Sequence, residues 1–145
     1  MNFPNLSGAT SDGAFTYARA MDIRQIWPVV LPGIRQIKES DGWAWIPEDV
    51  YAALITGAAA LYVFNDTHGK HAGFGVYQVI PMEFEVNPVL NIWLGHSEAP
   101  DQGRYGVELS RLIAGAMGIE RIVFSTSQQS AWLKPFRLLK AYYEV

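Results

Sequence analysis

Residues 89–94 read Val-Leu-Asn-Ile-Trp-Leu, and residues 95–106 read Gly-His-Ser-Glu-Ala-Pro-Asp-Gln-Gly-Arg-Tyr-Gly. A helical pattern follows over 107–117, and a second apolar run, Ile-Val-Phe-Ser-Thr, covers 122–126. This order predicts a strand, a glycine-bearing loop, a helix and a second strand. A loop that opens a helix in this way can present backbone N–H groups to an anionic ligand.

The composition around this unit indicates one globular domain. The chain has 145 residues, half of them hydrophobic, which is enough for a sizeable core. Its formal charge of −3 comes from 11 basic and 14 acidic residues that are scattered along the chain, so no nucleic-acid partner is expected. The absence of cysteine excludes disulfides, thiolate catalysis and Cys-ligated zinc.

No apolar run approaches the ~18–20 residues of a membrane span. The N-terminus lacks a signal-peptide pattern, so we expect a cytoplasmic protein without a membrane partner.

Residues 1–20 are predicted to form an N-terminal arm or tail, and residues 21–145 a single domain. The arm is rich in turn-forming residues, but its aromatic side chains, among them Phe3 and Phe15, are typical of a segment that docks. The docking surface would be either the protein's own body or a neighbouring subunit.

Two helical segments follow the arm. Pro28 and Pro32 interrupt the first pattern and predict a broken helix pair over roughly 22–27 and 30–39. A further helix should begin at Pro47, because proline suits the first helical turn. It should stop at Gly57.

Strand patterns dominate the next part of the chain. Residues 59–64 and 72–80 are β-prone and are separated by a polar, glycine-bearing turn over 65–70, so they predict a hairpin. Gly73 and Gly75 lie within the second strand and indicate a bulge or a close backbone approach.

The chain is predicted to end with a helix over 130–139, interrupted at Pro135, and a short strand over 141–145. The full order is helices, a hairpin, and then alternating strands and helices. It favours an α/β fold (α+β by stricter usage) with a mixed sheet and helices on both faces.

This order resembles the GNAT superfamily of acetyl-CoA-dependent N-acetyltransferases over residues 21–145. The resemblance implies a mixed, mostly antiparallel sheet of five to six strands, in which the fourth strand splays from the fifth and the cofactor's pantetheine occupies the gap. More narrowly, Trp-Ile-Pro-Glu-Asp-Val-Tyr (45–51), Leu-Tyr-Val (61–63) and Trp132 after Ser-Thr-Ser (125–127) are similar to small GNAT-like proteins of tailed phages and prophages. Some relatives of that kind are linked to virion assembly.

The resemblance also implies a cofactor loop of the form Gln/Arg-x-x-Gly-x-Gly/Ala. Here residues 102–107 read Gln-Gly-Arg-Tyr-Gly-Val, so Tyr105 and Val107 stand where small residues are expected and would crowd the phosphates. A shifted register of the glycines, with the arginine paired to a phosphate, is the alternative. The candidate cofactor-binding residues are Gln102, Gly103, Arg104 and Gly106.

Few residues of this sequence match the catalytic residues that the resemblance implies. The tyrosine that would protonate the leaving thiolate aligns with Phe136, which has no proton to give, and Tyr142 and Tyr143 lie downstream on a predicted strand. The candidates for a general base near the strand end are His96 and Glu98; the alternatives are a surface hydrogen-bonding histidine and a carboxylate at the helix entry.

A metal site is not expected. His68 and His71 are three residues apart in the hairpin turn, but only Asp66 is an obvious further ligand, and a zinc site needs a third and a fourth ligand within reach.

Our first hypothesis from the sequence is a phage-type GNAT-fold protein with a degenerate acetyl-CoA site. It would act through contact with a protein partner or with itself, in virion assembly, in the host cytoplasm or within a virion. The alternative is an active acetyl-CoA-dependent N-acetyltransferase. A third hypothesis is a host-interaction or anti-defence module.

Overall fold

A computed structural model of the chain describes residues 2–41, 44–83, 85–98, 103–125, 136–137 and 139. Within these residues, six strands form one sheet in the order β1-β2-β3-β4-β5-β6, and three helices pack on it. All neighbouring strands are antiparallel except β5 and β6. The prediction of a mixed, mostly antiparallel sheet is confirmed. The elements are β1 Ser7–Ala9, β2 Thr16–Arg19, α1 Ile23–Asp41, α2 Pro47–Thr56, β3 Ala59–Asn65, β4 His71–Ile80, β5 Val89–Ser97, α3 Gly103–Met117 and β6 Ile122–Phe124.

The segment predicted as an N-terminal arm contributes two strands to this sheet. β1 pairs with β2, and β2 pairs with β3 with Thr16 opposite Asn65. Before β1, the side chain of Phe3 is buried, and the Tyr62 hydroxyl donates a hydrogen bond to the Pro4 carbonyl at 2.5 Å. The segment therefore lies on the protein's own sheet.

The first helix differs from the prediction, because α1 runs unbroken from Ile23 to Asp41 through Pro28 and Pro32. Each proline removes one N–H and frees the carbonyl four residues before it. Both prolines are exposed, on the side of α1 away from the core. The freed carbonyls can hydrogen-bond to water there, so the helix continues.

The predicted bounds of α2 are confirmed. Pro47 opens it, and the Asp49 carboxylate accepts a hydrogen bond from the N–H of Ile46 at 2.9 Å. Gly57 ends it in the left-handed conformation with φ of 81°, which a residue with a side chain rarely adopts.

Helices cover both faces of the sheet, as predicted. Helices α1 and α2 bury one face through an apolar cluster, and α3 buries the other through a second cluster. The first cluster includes Val30, Ile34, Val50, Leu61, Phe74 and Val76. The second includes Ala60, Tyr62, Tyr77, Leu90, Leu109 and Ile113. None of the helices in the described part of the chain is long and apolar enough to span a bilayer.

The glycines of β4 allow close approach, which is one of the two roles predicted for them. A Cβ at Gly73 would lie 2.4 Å from the His96 carbonyl oxygen, and a Cβ at Gly75 would lie 2.8 Å from the ring of Tyr77. The β4–β5 register shifts between Val76 and Tyr77, which leaves Trp93 as an extra residue of β5.

Candidate functional site

The sheet opens between β5 and β6. These strands pair over only three positions, the last of which joins Ile92 to Phe124, and β5 then continues to Ser97 without β6 beside it. A cavity of about 280 Å³ lies at this opening. Its walls come from β4, β5, the start of α3 and the end of β6, and include Tyr77, Trp93, His96, Tyr105, Gly106 and Phe124. The cavity therefore lies in a gap between two splayed strands, which is the kind of gap that the resemblance assigns to a pantetheine.

Helix α3 begins at Gly103, earlier than the predicted start at Val107. Glycines are poor helix formers, but tertiary contacts override that preference here. The hydroxyl of the buried Tyr77 donates a hydrogen bond to the Gly106 carbonyl at 3.0 Å, which fixes the first turn. Three predicted cofactor residues (Gly103, Arg104 and Gly106) thus lie in the first turn of α3, where N–H groups have no intrahelical acceptor. The fourth, Gln102, is outside the described residues.

The two bulky residues of the predicted loop lie in the apolar layer beneath α3. Tyr105 is only 7% exposed and Val107 only 8%. The Tyr105 ring meets the ring of Phe15 edge-on, with the centroids 4.9 Å apart. Packing against the N-terminal segment therefore accommodates a tyrosine at a position where a small residue was expected.

Arg104 lies across Tyr105 at the start of the helix. Its guanidinium donates a hydrogen bond to the Tyr105 hydroxyl at 2.9 Å and stacks 4.9 Å from the ring centroid. The same hydroxyl donates to a carboxylate oxygen of Asp12 at 2.5 Å. This hydrogen bond, helped by the Ala14 N–H and the charge of Arg104, lowers the pKa of Asp12 below its ordinary value. Asp12 and its contacts were not predicted from the sequence.

The two predicted base candidates come together at the end of β5. The His96 ring is stacked on the Phe74 ring, with the centroids 5.5 Å apart, and its Nε2 lies 3.5 Å from Oε1 of Glu98. The backbone N–H of Glu98 donates to the Ala72 carbonyl at 2.9 Å, which continues the β4–β5 pairing to this residue. An imidazole with a carboxylate partner is an arrangement typical of a general base.

A third ionisable group, His71, lies near this pair. Burial lowers the pKa of His71 below its ordinary value of 6.5, the negative charge of Glu98 raises it, and the nearby His96 lowers it. From the sequence, His71 was considered only as a metal ligand with His68. In the structure, Gly73 pairs with Ser97, and this strand register brings His71 towards Glu98. In the described residues, no group of three or more potential ligands is arranged to hold a metal ion.

The burial of His71 makes stability depend on pH. Because the unfolded chain binds a proton at His71 more readily than the folded chain, stability should be retained above pH 6.5 and fall as the pH decreases through that value. We expect His71→Gln to flatten the decrease in Tm between about pH 8 and about pH 5. Thermal unfolding at a series of pH values measures this. His68→Asn, in the exposed turn, is the control, and a His71→Gln curve parallel to wild type would contradict the expectation.

Among the described residues, two tyrosines line the cavity, and the hydroxyl of each is already engaged: Tyr105 donates to Asp12, and Tyr77 donates to the backbone of α3. Phe136 contacts Phe124 edge-on, with the centroids 5.5 Å apart. The Tyr77 hydroxyl already donates its hydrogen bond to the Gly106 carbonyl, and burial raises the pKa of Tyr77 above its ordinary value. Tyr142, Tyr143 and most of the predicted last helix and strand lie outside the described residues.

The fold is similar to solved acetyltransferases. A predicted acetyltransferase of Clostridium acetobutylicum, solved with acetyl-CoA, superposes with a TM-score of 0.63 at 16% identity, covering 90% of this chain and 95% of that one. An acetyltransferase of Trypanosoma brucei gives 0.63 at 12% identity, covering 90% and 98%. An aminoglycoside acetyltransferase from a soil metagenomic sample gives 0.62 at 12% identity, covering 94% and 99%. Comparisons with protein-family models and with curated proteins give no match. The chain therefore has the GNAT fold.

Proposed function

We propose that the protein binds acetyl-CoA in the opening between β5 and β6 and transfers the acetyl group to an amine. The observation that carries the proposal is the cavity itself, which joins the first turn of α3 to His96, the partner of Glu98. The fit to the cofactor is chemical as well as spatial. Aromatic and aliphatic walls suit an uncharged pantetheine, and the N–H groups of a helix start suit its phosphates.

Each part of the site has a role in this proposal. Acetyl-CoA supplies a thioester whose carbonyl carbon accepts the amine nitrogen, with coenzyme A leaving as a thiolate. His96 takes the proton that the amine loses, and Glu98 holds the imidazole and stabilises its charged form. The thiolate would take its proton from solvent, because Phe136 has no proton to donate. The phosphates would be held by Gln102, Gly103, Arg104 and Gly106.

A ligand titration tests this function. We expect acetyl-CoA and coenzyme A to raise the Tm, because a ligand at about 100 times its Kd stabilises the folded state by about 2.7 kcal/mol. Arg104→Ala should weaken binding. Gly95→Leu should abolish it, because Gly95 lines the cavity and a Cβ there meets no atom within 4 Å, so the added side chain fills the opening. Calorimetry and thermal unfolding give the two readouts.

The controls separate lost binding from lost folding. The Tm of Gly95→Leu without ligand should not fall below that of wild type, since the substitution adds bulk to open space and removes a flexible glycine from the unfolded chain. An unchanged wild-type Tm and no binding heat at millimolar acetyl-CoA would overturn the proposal.

A second candidate is a non-catalytic protein of the same fold that acts through a protein partner or self-association, as in virion assembly or host interaction. The observation that favours it is Phe136, which stands where the resemblance implies a proton-donating tyrosine. Size-exclusion chromatography with light scattering tests this candidate. A defined oligomer together with no response to acetyl-CoA would favour it, and a strict monomer that binds acetyl-CoA would exclude it.

A further inference from the structure

The turn between β1 and β2 is attached to the first two turns of α3. The N–H of Ser11 donates to a carboxylate oxygen of Glu108 at 2.6 Å, the Tyr105 hydroxyl donates to Asp12 at 2.5 Å, and Phe15 packs on the Tyr105 ring. A turn that only connected β1 to β2 would not need these contacts. The N-terminal hairpin therefore forms part of the support of the cofactor site.

Asp12 has a defined orientation within this turn. Its Oδ1 accepts hydrogen bonds from the Thr10 hydroxyl and from the N–H of Ala14, both at 2.9 Å. Its Oδ2 accepts the Tyr105 hydroxyl. One carboxylate oxygen thus closes the turn and the other reaches the helix, so Asp12 couples the shape of the hairpin to the position of Tyr105.

Tyr105 passes this coupling on to Arg104. The Arg104 guanidinium donates to the Tyr105 hydroxyl, and that hydroxyl donates to Asp12, so the two hydrogen bonds polarise each other. The Arg104 side chain stays 68% exposed even so. A long arginine side chain loses rotamer freedom when it binds a phosphate, and prior orientation reduces that loss.

Asp12 also carries a negative charge that opposes phosphate binding. The distances indicate whether this repulsion or the orientation of Arg104 has the larger effect. Arg104 Nη2 lies 3.9 Å from Asp12 Oδ2, and the Asp12 side chain is 44% exposed. An exposed ion pair at that separation is weak, whereas a guanidinium and a phosphate can form a bidentate, charge-assisted pair. The hydrogen bond to Tyr105 is the dominant contact of Asp12 with the helix.

We propose that Asp12 is a positioning residue of the acetyl-CoA site. Through the Tyr105 hydroxyl it holds the first turn of α3 and directs the Arg104 guanidinium towards the phosphate groups of acetyl-CoA. The inference rests on the proposed function for its ligand, but the hold of Asp12 on α3 is a property of the protein alone.

Kinetics and hydrogen exchange on the full chain test this inference. We expect Asp12→Ala and Tyr105→Phe to raise KM for acetyl-CoA about tenfold with kcat unchanged. Tyr105→Phe keeps the ring that contacts Phe15 and Arg104, so it isolates the hydroxyl. Asp12→Asn keeps an acceptor oxygen and should raise KM less. Amide exchange over residues 103–110 should accelerate in Asp12→Ala and in Tyr105→Phe.

Asp66→Ala is the matched control. Asp66 closes the β3–β4 turn in the same way, by accepting the N–H groups of His68 and Lys70 at 2.9 Å, but its hydrogen bonds stay within that turn. An equal rise in KM for Asp66→Ala would overturn the inference, and so would a lower KM for Asp12→Ala, which would make Asp12 a competing anion. If wild type binds no coenzyme A, the proposed function fails, and the exchange rates still decide whether Asp12 holds α3.

Discussion

His96→Ala is expected to lower kcat for acetyl transfer by at least about a hundredfold, the lower end of what a positioned general base contributes. Binding of acetyl-CoA should be unchanged, because the imidazole acts on the amine and not on the phosphates. The rate of coenzyme A thiol release measures kcat, with whichever amine of a panel (spermidine, a lysine peptide, an aminoglycoside) the wild type acetylates.

A second variant separates the loss of the proton acceptor from the loss of packing. The His96 ring packs against both Phe74 and Gly33, so alanine leaves a void at that position. His96→Gln fills more of the space and keeps hydrogen-bonding atoms, but it cannot take a proton, so it should show the same loss of kcat.

Glu98→Gln should lose less activity, because the neutral amide still contacts the imidazole but does not stabilise its charged form. Wild-type kcat in His96→Gln would remove His96 from the mechanism. A loss in His96→Ala alone would assign the effect to packing.

Most of the fold could be predicted from local sequence signals. Pro47 and Gly57 bound a helix by backbone chemistry that needs no tertiary information, and the two β-prone segments on either side of the 65–70 turn define a hairpin in the same way. Helix α1 could not be predicted as one helix, because the tolerance of Pro28 and Pro32 depends on which side of the helix faces solvent. That orientation is set only when the helix packs on the sheet.

The candidate site could be predicted in part. His96 and Glu98 are close in sequence in the loop predicted after the strand over 89–94, so local sequence pointed to both. The structure extends β5 to Ser97 and places the two side chains 3.5 Å apart. Asp12 could not be found in this way, because its contact with Tyr105 depends on the pairing of β2 with β3. No local pattern specifies which distant strand completes a sheet, so the sequence predicts that the N-terminal segment docks but does not distinguish the protein's own body from a neighbouring subunit.

A glycine on α1 supports both the core and the candidate base. A Cβ at Gly33 would lie 2.6 Å from a ring carbon of Phe74 and 2.8 Å from one of His96. Both rings are packed and cannot swing away as a flexible side chain would, so the helix or the strands must move apart. This close approach holds the imidazole against the sheet.

Gly33→Ala should therefore destabilise the protein, although alanine is the better helix former. Overpacking a core costs about 1–3 kcal/mol, and the gain in helix propensity offsets up to about 1 kcal/mol of that. Gly115→Ala is the matched control, because Gly115 is also inside a helix but a Cβ there meets nothing within 4 Å, so it should stabilise by about 0.5–1 kcal/mol. Chemical denaturation of the two variants should give free-energy changes of opposite sign. Stabilisation by both would show that α1 does not approach His96 this closely, and the packing that holds the imidazole would then have to come from another element.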